Sequence, residues 1–430
     1  MMKKAVITGV GVASPLGVGW SQWAAGLKAG KPGIRRIQAF DPAAPFAHHL
    51  REGYEGRPLE PLSCQVAGEI PDFVPQEHFS AKDLSRVPRV VPVAVCAARE
   101  ALQSAGYGDA TQEHKRNIGV MIGSGGGGFS FAEEQFSHWF GATRGMLSPY
   151  AVSSTVAGAL SSEISITFGL RGRSHTVSDG CTSSSDALGY ALDLIRNGRS
   201  RTLLVGGADA PITPGTLAAF GLMRAVPMHF NECPERACRP FDRDRDGFVL
   251  GEGAWMFVLE EYEHAKARGA HIWAEVAGYG ATCEAYHRVQ LGEPDEAARA
   301  MRLALDDADV APEQVDHANL HGTSTPLNDP LETAAIKLAL GARATQIPHS
   351  ATKSQIGHPQ GASGAAGVAS ALLALNEGVI APTLNLDNPA EGCDLDYTAQ
   401  HAGQANVEVA LCNCLGFGSK NAALVLKRAA

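Results

Sequence analysis

Residues 175–199 read HTVSDGCTSSSDALGYALDLIRNGR, and the fold class follows from how this stretch must run. His175, Thr176 and Val177 suit the end of a strand, and Ser178, Asp179 and Gly180 supply turn chemistry. Thr182 and three serines then open a predicted helix over Ser183–Arg196, since hydroxyl side chains satisfy the free amides of a first turn. A strand that passes through a tight turn into a helix is the building unit of an α/β protein. Cys181 sits at that elbow. Helix amides and the positive end of the dipole are expected to favour its thiolate, and the turn exposes the sulfur to a substrate pocket. Taken alone, the segment fits a buried structural cysteine at least as well. The assignment therefore rests on partners elsewhere in the chain.

Moving outward, the same alternation recurs. KKAVITGVG (3–11), NIGVMIGSG (117–125), RTLLVGGADA (201–210), HIWAEVAGYG (271–280), HANLHG (317–322) and NAALVLKR (421–428) read as buried or half-buried strands. Helices are predicted near Val93–Ala105, Asp295–Ala308, Leu331–Leu340 and Gly364–Asn376. A strand-rich restart at His271 follows the charged helix-like EEYEHAKARGA (260–270), which suggests two halves sharing one core. No repeat is obvious between them at the residue level.

With 430 residues and 45% hydrophobic content the chain can bury a large core, which argues against disorder. A net charge of −9 disfavours a nucleic-acid-binding surface. No apolar run approaches the roughly 18 residues of a membrane span, and the opening MMKKAVITGVGVASPLG is too broken by glycine for a signal peptide, so a cytoplasmic protein without a membrane role is expected. Nine cysteines lack paired zinc-ribbon spacing, and an odd count suits a disulfide framework poorly, so no metal site is expected. The glycines of 123–128 lack the Gly-Lys-Ser/Thr ending of a phosphate loop. They serve better as a turn approached closely by other backbone.

Two histidines and a lysine complete the chemistry. HGTSTPLNDPLE (321–332) places His321 after a strand, and ATKSQIGHPQGASGAAG (351–367) places Lys353 and His358 before a small-residue helix. Together with DGCTSSSDALG (179–189) and LGFGSKN (415–421), these motifs resemble the β-ketoacyl-ACP synthase family, especially the type II elongating, β-ketoacyl-ACP synthase II-like ketosynthases. VITGVGVASPLG (6–17), RPFDRDRDGFVLGEGA (239–254) and APTLNLDNPAEGCDLDY (381–397) extend the likeness over almost the whole chain.

The resemblance implies a thiolase-like α/β fold with a layered α/β/α/β/α core. Its two related halves would span 1–265, carrying the nucleophile, and 266–430, carrying the histidines, lysine and gate. It further implies that Cys181 takes an acyl chain from acyl carrier protein (ACP) and condenses it with malonyl-ACP. His321 and His358 would stabilise the enolate, and backbone amides of Cys181 and Phe417 would form a second oxyanion hole. Lys353 would ion-pair with Glu332, supported by Asp329, while Phe417 gates the site. Thr323 and Thr325 would contact the phosphopantetheine arm, with turn capping as an alternative role, and no cofactor is required beyond that arm on its carrier.

Gly126 falls where some relatives block the acyl pocket with isoleucine, which would leave room for a longer or stiffer chain. Lys82, Arg86, Arg89, Arg144 and Arg224 are the expected ACP-docking cations, since the carrier is acidic. GFGSKN departs from the family's GFGGTN beside the gate. Pathway (fatty-acid, polyketide or polyene), and homodimer or ketosynthase heterodimer, stay open. Three further readings are a silent chain-length partner, against which Cys181 argues, a non-catalytic acyl-ACP binder, and a CoA-dependent thiolase, whose second cysteine is not expected at His358.

Overall fold

The computed structural model describes residues 3–44, 61–140 and 145–429. Among the described residues eleven strands join in the main sheet; the short Gly17–Val18 pairs only with the first, and ten lie along one path: β1 (Ala5–Ser14), β2 (Ile118–Gly123), β3 (Ser174–Val177), β4 (Thr202–Asp209), β5 (Gly253–Glu261), β6 (Ala274–Cys283), β7 (His317–Asn319), β8 (His349–Ser350), β9 (Val409–Gly416) and β10 (Lys420–Arg428). Seven helices matter to the site: α1 (Val90–Ser104), α2 (Phe129–Phe140), α3 (Ala159–Phe168), α4 (Ser183–Arg196), α5 (Asp295–Asp307), α6 (Asn328–Leu340) and α7 (Ser363–Glu377).

The spatial strand order is β8-β7-β9-β10-β6-β1-β5-β4-β2-β3. Read outward from the β6–β1 junction, each side follows one scheme. The first strand pairs antiparallel with the fifth and the fifth antiparallel with the fourth; the fourth, second and third then run parallel. Five strands and three helices thus recur in the same order in both parts of the chain. The duplication that residue comparison could not reveal is plain in the topology. The two sheets meet where Ala5–Ile7 pairs with Ala274–Val276.

Local sequence explains the packing. β1 is buried throughout, and a Cβ on Gly11 would lie 2.0 Å from the Ala97 carbonyl oxygen of α1. Its counterpart Gly280 on β6 would meet the Ala300 carbonyl of α5 at 2.2 Å. In each half, glycine lets an alanine-rich helix lie directly on the first strand. α4 and α7 occupy the middle, where Ala187, Leu188, Leu192, Ala366, Leu372 and Leu373 share one core between the sheets. α7 is buried from Ser363 to Leu375, which its run of Gly, Ala and Ser permits. α1 covers the outer face of one sheet, and α5 with α6 that of the other, completing the α/β/α/β/α layering. Among the described residues, no helix is long and apolar enough to cross a membrane.

Two histidines are buried beneath the β7–β8 edge. His317 donates from Nδ1 to the Pro348 carbonyl at 2.9 Å, its Nε2 has no partner, and burial pushes its imidazole down to about 4. An unfolded histidine titrates near 6.5, so below that pH the unfolded chain binds a proton that the native state refuses. This residue's contribution to stability therefore falls as pH drops from about 6.5 and reaches its full loss, about 3 kcal/mol, below about 4. Urea unfolding of wild type and His317→Gln at pH 7 and pH 5 isolates the effect from that of the buried carboxyls. The stability gap between them should narrow at the lower pH, and a constant gap would contradict the assignment.

Candidate active site

The site is built where α4 and α7 begin. β3 ends at Val177, Gly180 takes φ 67° in the left-handed region, and a single tight turn over Gly180–Thr182 delivers the chain into α4. Ser183 Oγ accepts from the Asp179 amide at 2.8 Å and donates to the Gly180 carbonyl at 2.6 Å, which holds the elbow closed. Cys181 is buried on the floor of a cavity of about 340 Å³. Ahead of α7 the same turn-into-helix arrangement recurs over Gln360–Ala362, and His358 lies just before that turn.

Cys181 Sγ lies 3.1 Å from His358 Nε2. The His321 ring stands 5.3 Å from that of His358 at 88°. The three ligand atoms lie within 4.8 Å of one another, and among the described residues no other group of His, Cys, Asp and Glu is so placed. Two imidazoles and a thiol at that spacing would also accept a zinc-like ion.

Burial pushes the Cys181 thiol up to about 11, against the opposing pull of the Lys353 charge and the Phe417 amide. The expected thiolate is thereby corrected: desolvation outweighs the Lys353 charge and the backbone amides that favour the anion, and the resting group is a thiol that needs a proton acceptor. His358 can be that acceptor. Burial, reinforced by Lys353, lowers both His321 and His358 well below the ordinary histidine range, so both are neutral. Ser363 Oγ sits 2.9 Å from His358 Nδ1. A hydroxyl both donates and accepts, so Ser363 supports either tautomer of the ring.

Lys353 Nζ donates to the His321 carbonyl at 2.7 Å and reaches His321 Nδ1 at 3.3 Å. With a cationic donor on Nδ1, the ring proton of His321 resides on Nε2. The expected Lys353–Glu332 ion pair does not form. Glu332 instead accepts from the backbone amides of His321 (2.6 Å) and Gly322 (2.7 Å) and from Asn413 Nδ2 (2.7 Å). Those amides point inward at the end of β7 and satisfy the carboxylate where a lysine was expected. Asn328 bridges Glu332 and Asp329, and Asp329 receives the Phe241 amide at 2.7 Å and Arg245 at 3.5 Å. Arg245 also donates to the carbonyls of Thr325 and Pro326, both at 3.0 Å, and so holds the cavity-lining 323–326 loop.

Thr323 and Thr325 line the cavity with their hydroxyls 2.9 Å apart, and Thr325 Oγ1 also caps the Asn328 amide at the start of α6. Phe417 lines it too, at the tip of the β9–β10 hairpin, where Gly416 pairs with Lys420. Its ring lies 6.4 Å from those of Phe220 and Phe248. The departure at Ser419 and Lys420 has visible consequences. Ser419 Oγ donates to the His287 carbonyl (2.9 Å) and receives the amides of Tyr286 and His287, while Lys420 ion-pairs with Asp179 of the elbow. The hairpin tip is thereby tied to both the mouth loop and the nucleophile turn.

Gly126 stands outside the cavity lining. Its amide donates to Asp209 at 3.0 Å, and an added Cβ would meet only Asp209 Oδ1 at 3.5 Å, so a larger residue begins in open space. Of the docking cations, Arg224 is exposed and lines the cavity. Lys82 is exposed, and Arg86 stacks 5.0 Å over Tyr150. Arg89 is exposed too, with its guanidinium making two 2.7 Å bonds to the buried Glu252. Arg144 lies outside the described residues. Sequence reading missed Asp209, Ser363, Arg245 and Asn413. Only the DRDRD run around Arg245 and the GGADA of Asp209 offered a local signal, and neither names its partner.

A cysteine at a strand–helix elbow facing two neutral histidines, in a duplicated five-layer α/β core, defines an acyl-transferring condensing enzyme. The chain belongs to the β-ketoacyl synthase family: residues 2–265 match the model of the beta-ketoacyl synthase N-terminal domain and residues 273–387 that of the C-terminal domain. It is 38% identical over 428 residues to the 3-oxoacyl-[acyl-carrier-protein] synthase 2 of Synechocystis, covering 99% of this chain and 98% of the relative. Among solved structures it resembles the ishigamide ketosynthase/chain length factor (TM-score 0.85, 33% identity, full coverage of both chains). It also resembles a type II polyketide ketosynthase solved with its acyl-carrier protein and bound to a hexaketide (TM-score 0.87, 28% identity, full coverage of both chains).

Proposed function

We propose that this chain is a β-ketoacyl-ACP synthase that extends a Cys181-bound acyl group by decarboxylative condensation with malonyl-ACP, in fatty-acid, polyketide or polyene synthesis. The observation that carries the reading is the 3.1 Å approach of Cys181 Sγ to the neutral His358, with His321 crossing beside it. Cys181 passes its proton to His358 Nε2 and attacks the acyl thioester, and the carrier thiol leaves with that proton. Loss of carbon dioxide from the malonyl group then leaves an electron pair as an enolate, whose oxygen takes hydrogen bonds from His321 Nε2–H and from His358 in its Nε2–H tautomer, in which Nδ1 accepts from Ser363. The enolate carbon attacks the Cys181 thioester, the carbon–sulfur bond breaks, and the Cys181 thiolate takes up a proton from solvent, the one proton that the overall reaction consumes. Lys353 fixes the His321 tautomer, Glu332 and Asp329 hold the loop that carries it, and the Cys181 and Phe417 amides receive the oxyanion of each acyl transfer.

The phosphopantetheine arm enters past Thr323 and Thr325, with Arg224, Lys82 and Arg86 drawing the acidic carrier to the mouth. The reaction needs no metal or further cofactor. Two features favour a two-chain assembly, homodimeric or with a chain-length partner. Among the described residues β3 is an open edge strand, and α2 exposes half or more of Phe129, Phe136, Trp139 and Phe140. We place the enzyme in the cytoplasm with its carrier.

Intact-protein and peptide mass spectrometry after incubation with a panel of acyl-ACPs tests the reading. An acyl adduct on Cys181 is expected for some chain length, and carrier binding with no adduct across the panel would favour a non-catalytic acyl-ACP binder.

A further inference from the structure

Two residues beyond His358, Gln360 adopts φ 45°, the left-handed region that non-glycine residues seldom enter. Its neighbour Gly361 holds it there. The Gly361 amide donates to Asp209 at 2.7 Å, and a Cβ on Gly361 would strike the Gly125 amide nitrogen at 2.1 Å, so the backbone is pinned. The effect is to turn the Gln360 side chain into the cavity it lines with Cys181, His321, His358 and Phe417.

Its carboxamide nitrogen is shielded from solvent and has no hydrogen-bond partner. Among the described cavity-lining residues it is the one with such an orphaned polar atom. Thr323 and Thr325 bond each other, and both histidines are engaged. Backbone strain concentrated beside an unpaired donor is the pattern of a group kept ready for a ligand. A plain hydrocarbon chain offers it nothing; an oxygen acceptor does.

We propose that Gln360 is a specificity-determining residue that donates a hydrogen bond to an oxygen of the bound substrate, either a keto oxygen near the thioester of the acyl chain or the malonyl carboxylate. The inference rests on the condensing-enzyme reading above. A site that hydrogen-bonds a substrate oxygen discriminates against the analogue lacking it.

Gln360→Leu and Gln360→Glu are compared with wild type for Cys181 loading from butyryl-ACP and 3-oxobutyryl-ACP, and for kcat/KM toward malonyl-ACP on butyryl-loaded enzyme. A fall of about tenfold in the 3-oxobutyryl to butyryl loading ratio in the leucine variant supports the inference and assigns the acyl oxygen. A similar fall in malonyl-ACP kcat/KM, larger still in the glutamate variant through charge repulsion, supports it and assigns the carboxylate. The glutamate variant keeps the side-chain size and so provides a reading should the leucine variant fold poorly. Both quantities within twofold of wild type in a folded variant overturn the inference. A wild-type enzyme that loads no acyl group overturns the condensing reading and this one with it, a failure distinguished by its presence before any substitution.

Discussion

Replacing Asp209 with alanine is expected to cost about 3–5 kcal/mol of stability and to disable the active site together with the fold. Asp209 ends β4, fully buried. One carboxylate oxygen takes Ser124 Oγ at 2.8 Å and the Gly126 amide at 3.0 Å, and the other takes the amides of Gly125 and Gly361, both at 2.7 Å. Burial raises its carboxyl above the ordinary range and these four donors oppose that rise. Alanine would leave the buried Gly361 amide and the half-buried Gly125 amide unpaired, each costing about 1–3 kcal/mol, while the exposed Gly126 amide can turn to water. Because Gly361 belongs to the His358 loop and Gly125 to the glycine-rich loop, one residue ties together pieces of both halves. Denaturant unfolding of Asp209→Ala and Asp209→Asn measures this, with asparagine intermediate because it keeps one acceptor. A shift below about 1 kcal/mol in the alanine variant would show that the four bonds do not hold these loops.

Removing either active-site histidine should lower condensation by about 10²–10³-fold, since each is assigned one hydrogen bond to the developing enolate oxygen. The two variants should differ in the first half-reaction. His358→Ala also loses the acceptor 3.1 Å from Cys181, whose thiol burial holds up to about 11, so its loading should slow as well. His321→Ala leaves that pair intact and should slow decarboxylation far more than loading. The double variant should lose less than the product of the single losses, because the two donors serve one oxygen. Rapid-quench measurement of loading and of carbon dioxide release separates these expectations. Equal slowing of both steps by His321→Ala would place the residue in acyl transfer instead.

The strand–elbow–helix unit around Cys181 was legible because hydroxyl caps, a turn glycine and β-branched residues all act locally. Helix edges were less so. α1 begins at Val90, ahead of the expected Val93, because Pro92 is tolerated in a first turn, and α6 begins at Asn328, with Pro330 in the same role. Partners remote in sequence were invisible. Nothing near Glu332 says that its carboxylate will meet inward-pointing amides before it meets Lys353, and nothing near Arg89 names Glu252, 163 residues away. The thiolate expectation failed for a related reason, since burial is set by tertiary packing while the helix dipole can be read from sequence. The duplicated topology also lay beyond the residues, because strand order depends on pairing and not on identity.

The central claim is that the thioester on Cys181 is consumed by carbon–carbon bond formation coupled to decarboxylation. Wild-type enzyme loaded with one acyl group per chain, freed of excess acyl-ACP and mixed with carboxyl-labelled malonyl-ACP in a single turnover, tests it most directly. The Cys181 adduct should disappear at the same rate as labelled carbon dioxide appears, with one two-carbon-longer 3-oxoacyl-ACP formed per adduct lost. Carbon dioxide released while the adduct persists, or an adduct lost as free acid with no extended product, would contradict the account.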